Sequence, residues 1–392
     1  MLPNTPITNR SQLPSPRSLA RLLALPLVFC YLVHVDLFAT QAPATPALLW
    51  LRPEQVAFAR AIAAAANLRY VGVGTPAKGR ADALASDLNA AAHTDLRAAM
   101  AACDVPLFLI LDAGDFGAIA SDEDPRAILA AAARNVKIAT LSPLPASVQL
   151  LARGSWGAWQ GQRTMVDTGA VDRIHLLATP TALATVRDAI SAIEHDEPPR
   201  HVGLRINARA DEHNLGGLLL GALDCITRVL PSPESIDCVY TSSQMTPALH
   251  ALPGESLYDI QGDAACLLRF TTGASASIDV SSAAGGFGLE LTMLGAFGRI
   301  TVRHDGITPS FLWLSATGDE VETPRPARDT TTPLAGTLAA LIAAELASLL
   351  HDESRGLPHT DIATVLPIAQ AALLSARTSQ PESPELFLRI LG

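Results

Sequence analysis

Apolar positions first gather at residues 47–51, in Ala-Leu-Leu-Trp-Leu. A polar turn follows at Arg52-Pro53-Glu54-Gln55, then an alanine-rich segment to Asn67, then a second apolar run at 68–73. The pattern predicts strand, turn, helix and strand, the first βαβ unit of a nucleotide-binding fold. Pro53 suits the first helical turn, where its missing N–H costs nothing. Val56, Ala59, Ala63 and Ala66 give a helical stripe with Phe58 and Ile62 beside it, and Asn67 ends the helix. Further along, helices are predicted over 78–89, over 95–102 with Thr94 as N-cap, over 125–135 and over 180–193. Strands are predicted over 106–111, 136–141 and 173–178. Strands alternating with helices indicate an α/β, Rossmann-like doubly wound parallel sheet.

Past the break at Pro198-Pro199 the periodicity changes. Short strands are predicted at 201–208, 236–242, 264–271, 274–281, 289–294, 298–303 and 311–315, with glycine turns between several of them. Helices are predicted over 216–230, 335–350 and 361–376. Consecutive strands without intervening helices imply a large, open, mainly antiparallel sheet in an α+β arrangement. The expected organisation is an extension over 1–45, a Rossmann-like domain over 46–198 and a second α/β domain over 199–392.

The first turn changes the chemical expectation. A dinucleotide site needs glycines there, so that the backbone can approach a pyrophosphate. Residues 51–55 contain none. Arg52 offers a side-chain contact to a phosphate in place of a backbone one, or else fills the space with Glu54. The 392 residues carry 28 basic and 38 acidic side chains, a net charge of −10, which argues against nucleic acid or an anionic membrane as partner. The five cysteines show no metal-type spacing and the histidines no His-x-x-x-His pair, so no metal site is expected. Cysteines within core elements read as buried free thiols.

Arg17 and Arg21 precede an uncharged run over 22–33. The run is too short to span a membrane, so no integral span is expected. It has the length of a signal-peptide core, with Ala42-Pro43-Ala44 as a cleavage site; His34 and Asp36 argue against that. The expectation is a cytoplasmic protein, or an exported one if 1–44 are a signal peptide.

Several stretches carry a resemblance in their order and spacing. They are Gly79-Arg-Ala-Asp-Ala-Leu-Ala85 with His93-Thr-Asp-Leu96, the strand near 104–111, Ala130-Ala-Ala-Ala-Arg-Asn-Val136 and Gly216-Gly-Leu-Leu-Leu-Gly-Ala-Leu-Asp224. Later come Ala264-Ala-Cys-Leu-Leu-Arg-Phe-Thr-Thr-Gly273, Leu294-Gly-Ala-Phe-Gly-Arg-Ile-Thr301 and Ala371-Ala-Leu-Leu-Ser-Ala-Arg-Thr378. Over about 47–380 the chain resembles the Gfo/Idh/MocA family of NAD(P)-dependent oxidoreductases, relatives of glucose-fructose oxidoreductase and inositol dehydrogenase. The resemblance implies an NAD(P) cofactor, a sugar or polyol substrate in an interdomain cleft, and a homo-oligomer built through the C-terminal sheet.

It also implies where functional groups should stand, and this chain departs at most of these places. The glycine-rich turn falls on residues 52–57. The acidic residue for the ribose falls on Thr75. The Glu-Lys-Pro motif falls on Leu141-Ser142-Pro143, and the Asp-x-x-x-His helix start on Gly217 and Gly221. Only Pro143, and Asp224 three residues beyond Gly221, match. The remaining cofactor-binding candidates are Arg52, Gln55, Thr75, Lys78, Arg80, Ser142 and Pro143. Lys78 and Arg80 stand where a 2′-phosphate could bind. His213, beside Asp211 and Glu212, is the candidate catalytic group, against the plainer expectation of a solvated loop. Trp156 and Trp159 are expected to line the cleft or to pack.

Hydride transfer needs a held cofactor and a proton acceptor. The replacements predict weak or absent NAD(P) binding. Three functions stay open: a divergent binding or subunit protein without ordinary dehydrogenase activity, an active NAD(P) oxidoreductase with rebuilt sites, or a structural partner of an active paralogue.

Overall fold

Ala47, Leu48, Leu49 and Trp50 are all buried, as an apolar run in the middle of a parallel sheet must be. They belong to β1 (Thr45–Trp50), flanked by β2 (Leu68–Gly74) and β4 (Leu107–Ile110), each parallel to it. The structure is a computed structural model. It describes residues 43–117, 123–146, 165, 168–194, 197–243, 256–304, 309–321, 337–351 and 359–391. With β3 (Ala91–His93), β5 (Lys137–Thr140) and β6 (Ile174–Leu176), the parallel sheet has the order β3-β2-β1-β4-β5-β6. Strand order reverses between β1 and β4, which places a crevice at their carboxyl ends.

The helices α1 (Val56–Ala66), α2 (Ala81–Leu88), α3 (Leu96–Ala102), α4 (Glu123–Ala132) and α5 (Ala184–Ala192) supply the connections and flanks. In α1 the fully buried positions are Phe58, Ala59 and Ile62, while Val56, Ala63 and Ala66 are half-buried, so the core-facing stripe is rotated from the expected one. Asn67 ends the helix at φ 50°, a left-handed conformation that asparagine tolerates. Pro53 opens a short 3-10 turn immediately before α1, where its fixed φ fits. The N-cap of α3 is Asp95 rather than Thr94: its carboxylate accepts from the Arg97 N–H at 2.8 Å. β3 was not expected. It is short and largely exposed, with no alternation to announce it.

The second sheet comprises β7 (His201–Asn207), β8 (Ser235–Ser242), β9 (Gly262–Arg269), β10 (Ser275–Ser281), β11 (Gly288–Gly295), β12 (Gly298–His304) and β13 (Pro309–Leu314). Its order is β13-β12-β11-β7-β10-β9-β8, and every pairing except β7 with β10 is antiparallel. One face is buried by alternate residues such as Val202, Leu204, Ile206, Ala276, Ile278 and Val280. Helices α6 (Leu215–Thr227) and α8 (Ile362–Thr378) pack on that side, with α9 (Pro384–Leu391) against α8.

The opposite face differs between its middle and its margins. Its middle is polar, with Ser275, Ser277 and Asp279 from β10 and Arg205 from β7. Arg205 pairs with Asp279 at 3.4 Å, and Arg303 with Glu290 at 3.0 Å. Exposed apolar side chains stand at its margins: Val239 and Leu267 at one end and Leu312 at the other.

α7 (Leu338–His351), although late in the chain, packs on α1 and β5. It brings Glu345 into the interior at 3% exposure, where both carboxylate oxygens accept from the Ala178 N–H at 3.0 and 3.1 Å. Ala178 itself sits at φ 59°. Burial pushes the Glu345 carboxyl well above its ordinary pKa, against the smaller opposing effects of the Ala178 N–H and Arg187. A carboxyl raised on folding favours the folded state at low pH. That contribution is lost as pH climbs past the unfolded value, about 4.3 for glutamate. Glu345→Gln, which keeps an acceptor and removes the charge, should therefore raise the melting temperature at pH 8 by about 2 °C and leave it unchanged near pH 4. Calorimetric melts at both pH values check this, and a variant that melts lower at pH 8 would refute it.

Candidate functional site

The chain leaves β1 with Leu51 and Arg52, and leaves β4 with Leu111 and Asp112. In each case a charge follows the last buried apolar residue at the edge of the crevice. The two charges meet: Arg52 Nε lies 2.7 Å from Asp112 Oδ2, with the arginine side chain 22% and the aspartate 4% exposed. The Nε–H is not aligned as a hydrogen bond, so the contact is chiefly Coulombic. The rest of the guanidinium is also engaged, Nη1 with Glu54 at 3.3 Å and Nη2 donating to the Ala210 carbonyl at 3.1 Å. Asp112 Oδ1 accepts from the Tyr258 hydroxyl at 2.6 Å and from the Gly114 N–H at 2.9 Å. Ala210 follows β7 and Tyr258 precedes β9. The pair thus ties two loops of the second sheet to the carboxyl edge of the first.

The turn before α1 holds its own polar groups. Gln55 is buried, and its Oε1 accepts from the Arg52 N–H at 2.9 Å. The Gln55 N–H donates back to the Arg52 carbonyl at 3.0 Å, the Val56 N–H donates to Pro53, and Pro53 has no N–H. Bulk accompanies this closure. A Cβ on Gly74 would fall 1.7 Å from the Trp50 ring, and one on Gly114 would fall 2.5 Å from Pro76 Cβ. The segment after β4 therefore touches the segment after β2, passing over the end of β1 that lies between those strands.

The other candidates are placed as follows. Thr75 is buried and its hydroxyl accepts from the Ala77 N–H at 3.1 Å, a local turn contact. Lys78 and Arg80 are exposed just before α2. Ser142 is buried after β5. Its Oγ accepts from the Ala113 N–H at 3.1 Å and donates to the Leu111 carbonyl at 3.3 Å, binding the β5 end to the β4 end. Pro143 is buried beside it. Trp156 and Trp159 lie outside the described residues.

His213 is not in a solvated loop. It is 1% exposed, and its Nδ1 lies 2.9 Å from the Asn214 carbonyl. A carbonyl only accepts, so Nδ1 carries the hydrogen and Nε2 is a bare acceptor, buried with no partner. Burial lowers its pKa to about 4, so the ring is neutral at pH 7. Asp211 is held at 2.7 Å by Arg209. Burial raises the Glu212 carboxyl, and Arg209 opposes that.

His213 lies at the start of α6, and the glycines there explain its seclusion. Asn214 caps the helix by accepting from the Gly216 and Gly217 N–H groups at 2.8 and 3.2 Å. A Cβ on Gly217 would stand 2.2 Å from the Leu141 carbonyl oxygen and 2.8 Å from the His213 ring, and one on Gly216 2.1 Å from the Leu257 carbonyl oxygen. The helix start is wedged between the backbones of two segments, one from each half. Gly221 is looser, with Pro180 at 3.4 Å. Asp224 forms a buried bidentate pair with Arg228 at 2.9 and 3.1 Å and accepts from Thr181 at 3.3 Å, a structural arrangement. Among the described residues no cluster has the makings of a metal site, and no helix is long and apolar enough to cross a membrane.

The structure thus gathers Arg52, Gln55 and Ser142 at one edge, joined by Asp112 and Tyr258, which residue patterns did not single out. The signal for Asp112 was present: opposite charges directly follow two apolar strands that are neighbours in a doubly wound sheet. Tyr258 had none.

No protein-family model matches the chain, and no curated protein matches it in sequence. Solved structures do match in fold. A myo-inositol dehydrogenase from Corynebacterium glutamicum aligns over 87% of this chain and 98% of its own, with a TM-score of 0.54 at 15% identity. A myo-inositol 2-dehydrogenase from Lactobacillus plantarum aligns over 86% and 99%, at 0.56 and 11%. The WlbA dehydrogenase from Chromobacterium violaceum, solved with NADH and UDP-GlcNAcA, aligns over 88% and 96%, at 0.54 and 13%. At these identities the likeness is one of fold: a Rossmann-like parallel sheet joined to a mostly antiparallel sheet, as in Gfo/Idh/MocA proteins.

Three variants test how tightly this edge is built. Arg52→Ala leaves the Asp112 carboxylate buried beside Tyr258 and Gly114, and should lower stability by about 3 kcal/mol. Replacing both charges together (Arg52→Met with Asp112→Leu) should cost less than the single change. Gly217→Asp forces a side chain against the Leu141 carbonyl and should cost about 1–3 kcal/mol or more. Urea midpoints measure all three; a neutral Gly217→Asp would mean that α6 does not press on Leu141 as described.

Proposed function

We propose that this chain is a divergent protein of the Gfo/Idh/MocA fold that does not carry out NAD(P)-dependent hydride transfer and instead serves as a binding or subunit protein. The observation that carries the proposal is the Arg52–Asp112 ion pair across the crevice between β1 and β4, where a dinucleotide's pyrophosphate lies in doubly wound folds. A pyrophosphate needs backbone N–H groups at a helix start. Here the Arg52 N–H is taken by Gln55, Pro53 has none, and the Gln55 N–H is taken by Arg52. The arginine already faces two carboxylates and a carbonyl, so an incoming phosphate competes with bonds in place. The residues therefore do not fit the cofactor.

The acid–base side agrees. Ser142 is engaged on both sides, and His213, neutral at pH 7, is sealed behind Gly217. Each lost cofactor contact weakens binding by about 1–3 kcal/mol, or roughly 10- to 100-fold. Calorimetric titration with NADH and NADPH should show no binding below millimolar concentration, and no reduction of NAD(P)⁺ with inositols or sugars. A micromolar Kd for either dinucleotide would overturn the reading and favour an active oxidoreductase with a rebuilt site.

The open face of the seven-stranded sheet supports the subunit part of the proposal. Val239 is 66% and Leu267 41% exposed on adjacent strands. Exposed apolar side chains clustered on a sheet face favour association with a second sheet, in a copy of this chain or an active paralogue. Light scattering at micromolar concentration should give a dimer mass, and Val239→Glu with Leu267→Glu should halve it. A monomer mass for the unaltered chain would rule out self-association.

A further inference from the structure

Two thiols face each other across the outer strands of the seven-stranded sheet. Cys238 of β8 and Cys266 of β9 are direct partners in the antiparallel register. Both are buried, and their Sγ atoms are 3.1 Å apart. The peptide groups reveal which kind of pair this is. The Cys238 N–H turns away from β9 and donates to Ser375 Oγ at 2.9 Å. Two residues earlier, Ile236 turns the same way and exchanges both backbone hydrogen bonds with Glu382 at 2.9 Å. In an antiparallel ladder, residues whose N–H groups point outward form the non-hydrogen-bonded pairs, where Cα atoms stand ~4.5 Å apart and side chains are closest. That spacing falls at the short end of the range that disulfides bridge, about 4.4–6.8 Å. The bond can therefore form without separating the strands.

We propose that Cys238 and Cys266 are a dithiol that closes reversibly into a cross-strand disulfide, fastening the edge strand β8 to β9. The oxidant is a low-molecular-weight disulfide. The Cys238 thiolate attacks one of its sulfurs, forming a mixed disulfide and releasing one thiolate. Cys266 then loses its proton and attacks Cys238 Sγ, releasing the second. Two protein thiols are oxidised while one external disulfide is reduced to two thiols. Strand geometry at the short limit of the range leaves the bond strained, and strained disulfides are the readily reduced ones. The hydrogen bond that Cys266 donates to Cys238, together with burial, holds Cys266 well above the ordinary thiol pKa, so exchange waits on local opening of the edge strand. The other described cysteines do not compete: Cys103 lies against His93 on the parallel sheet, and Cys225 is buried in α6.

The test is a redox titration of the full chain in glutathione buffers, quenched with acid, alkylated and mapped by peptide mass. The expected product is a single intramolecular link between the Cys238 and Cys266 peptides, reversed by reduced glutathione and accompanied by a higher melting temperature. Full alkylation of both residues after exhaustive incubation would overturn the proposal, as would scrambled links to Cys103 or Cys225. In Cys266→Ser the resolving thiol is gone, so Cys238 should accumulate as its glutathione adduct. A folded Cys266→Ser protein with unmodified Cys238 would also overturn it. If that variant does not fold, the peptide map of the unaltered chain decides alone.

Discussion

The ion pair between Arg52 and Asp112 is the contact on which the rest of the edge depends. Two opposite charges at the ends of neighbouring buried strands attract strongly, because the surrounding dielectric is far below that of water. Each also makes hydrogen bonds beyond the pair. Arg52 reaches the Ala210 carbonyl and Asp112 the Tyr258 hydroxyl, so the pair draws down two loops of the second sheet. Removing either charge alone would leave the other buried without its counterpart, which is the costly case. The site is thus held by mutual neutralisation within the chain, in a place where an open fold of this kind would present donors to a ligand.

Small residues cooperate with this closure in a way that their identities alone do not convey. Gly217 could be taken simply as a lost acid. In three dimensions it is a spacer of zero size: the helix start approaches the Leu141 backbone so closely that a β-carbon would stand 2.2 Å from its carbonyl. Gly216 does the same against Leu257. The bare glycine and the close approach of the helix go together, and the approach is what buries His213 and holds its imidazole neutral. A side chain there would require the helix to retreat.

The exposed face of the second sheet follows different physics. Its central strands carry charges of alternating sign across the register, Asp279, Arg205, Glu290 and Arg303, so neighbours are matched and like charges never stand directly opposite. The apolar surface is displaced to the margins, at Val239, Leu267 and Leu312.

The apolar runs by themselves determined most of the architecture. Runs such as residues 47–51 and 106–111 have to be buried on both faces, which requires a parallel sheet with helices around it. The alternation over 264–281 requires a sheet with one covered face. Where that signal was weak the expectation failed: β3 is short and exposed, and α1 turned its stripe because α7, distant in sequence, packs against it. The lack of glycine in the first turn was also legible, as were Ser142, Gly217 and Gly221 at positions where the resemblance implies titratable groups. What took their place was decided only by the tertiary structure. Asp112 and Tyr258 are 146 positions apart, and Arg52 and Ala210 158 apart. Hydrophobic periodicity specifies which face of an element is buried, but not which charges meet at its end. Those meetings are set by strand order and by how closely glycine lets a backbone approach.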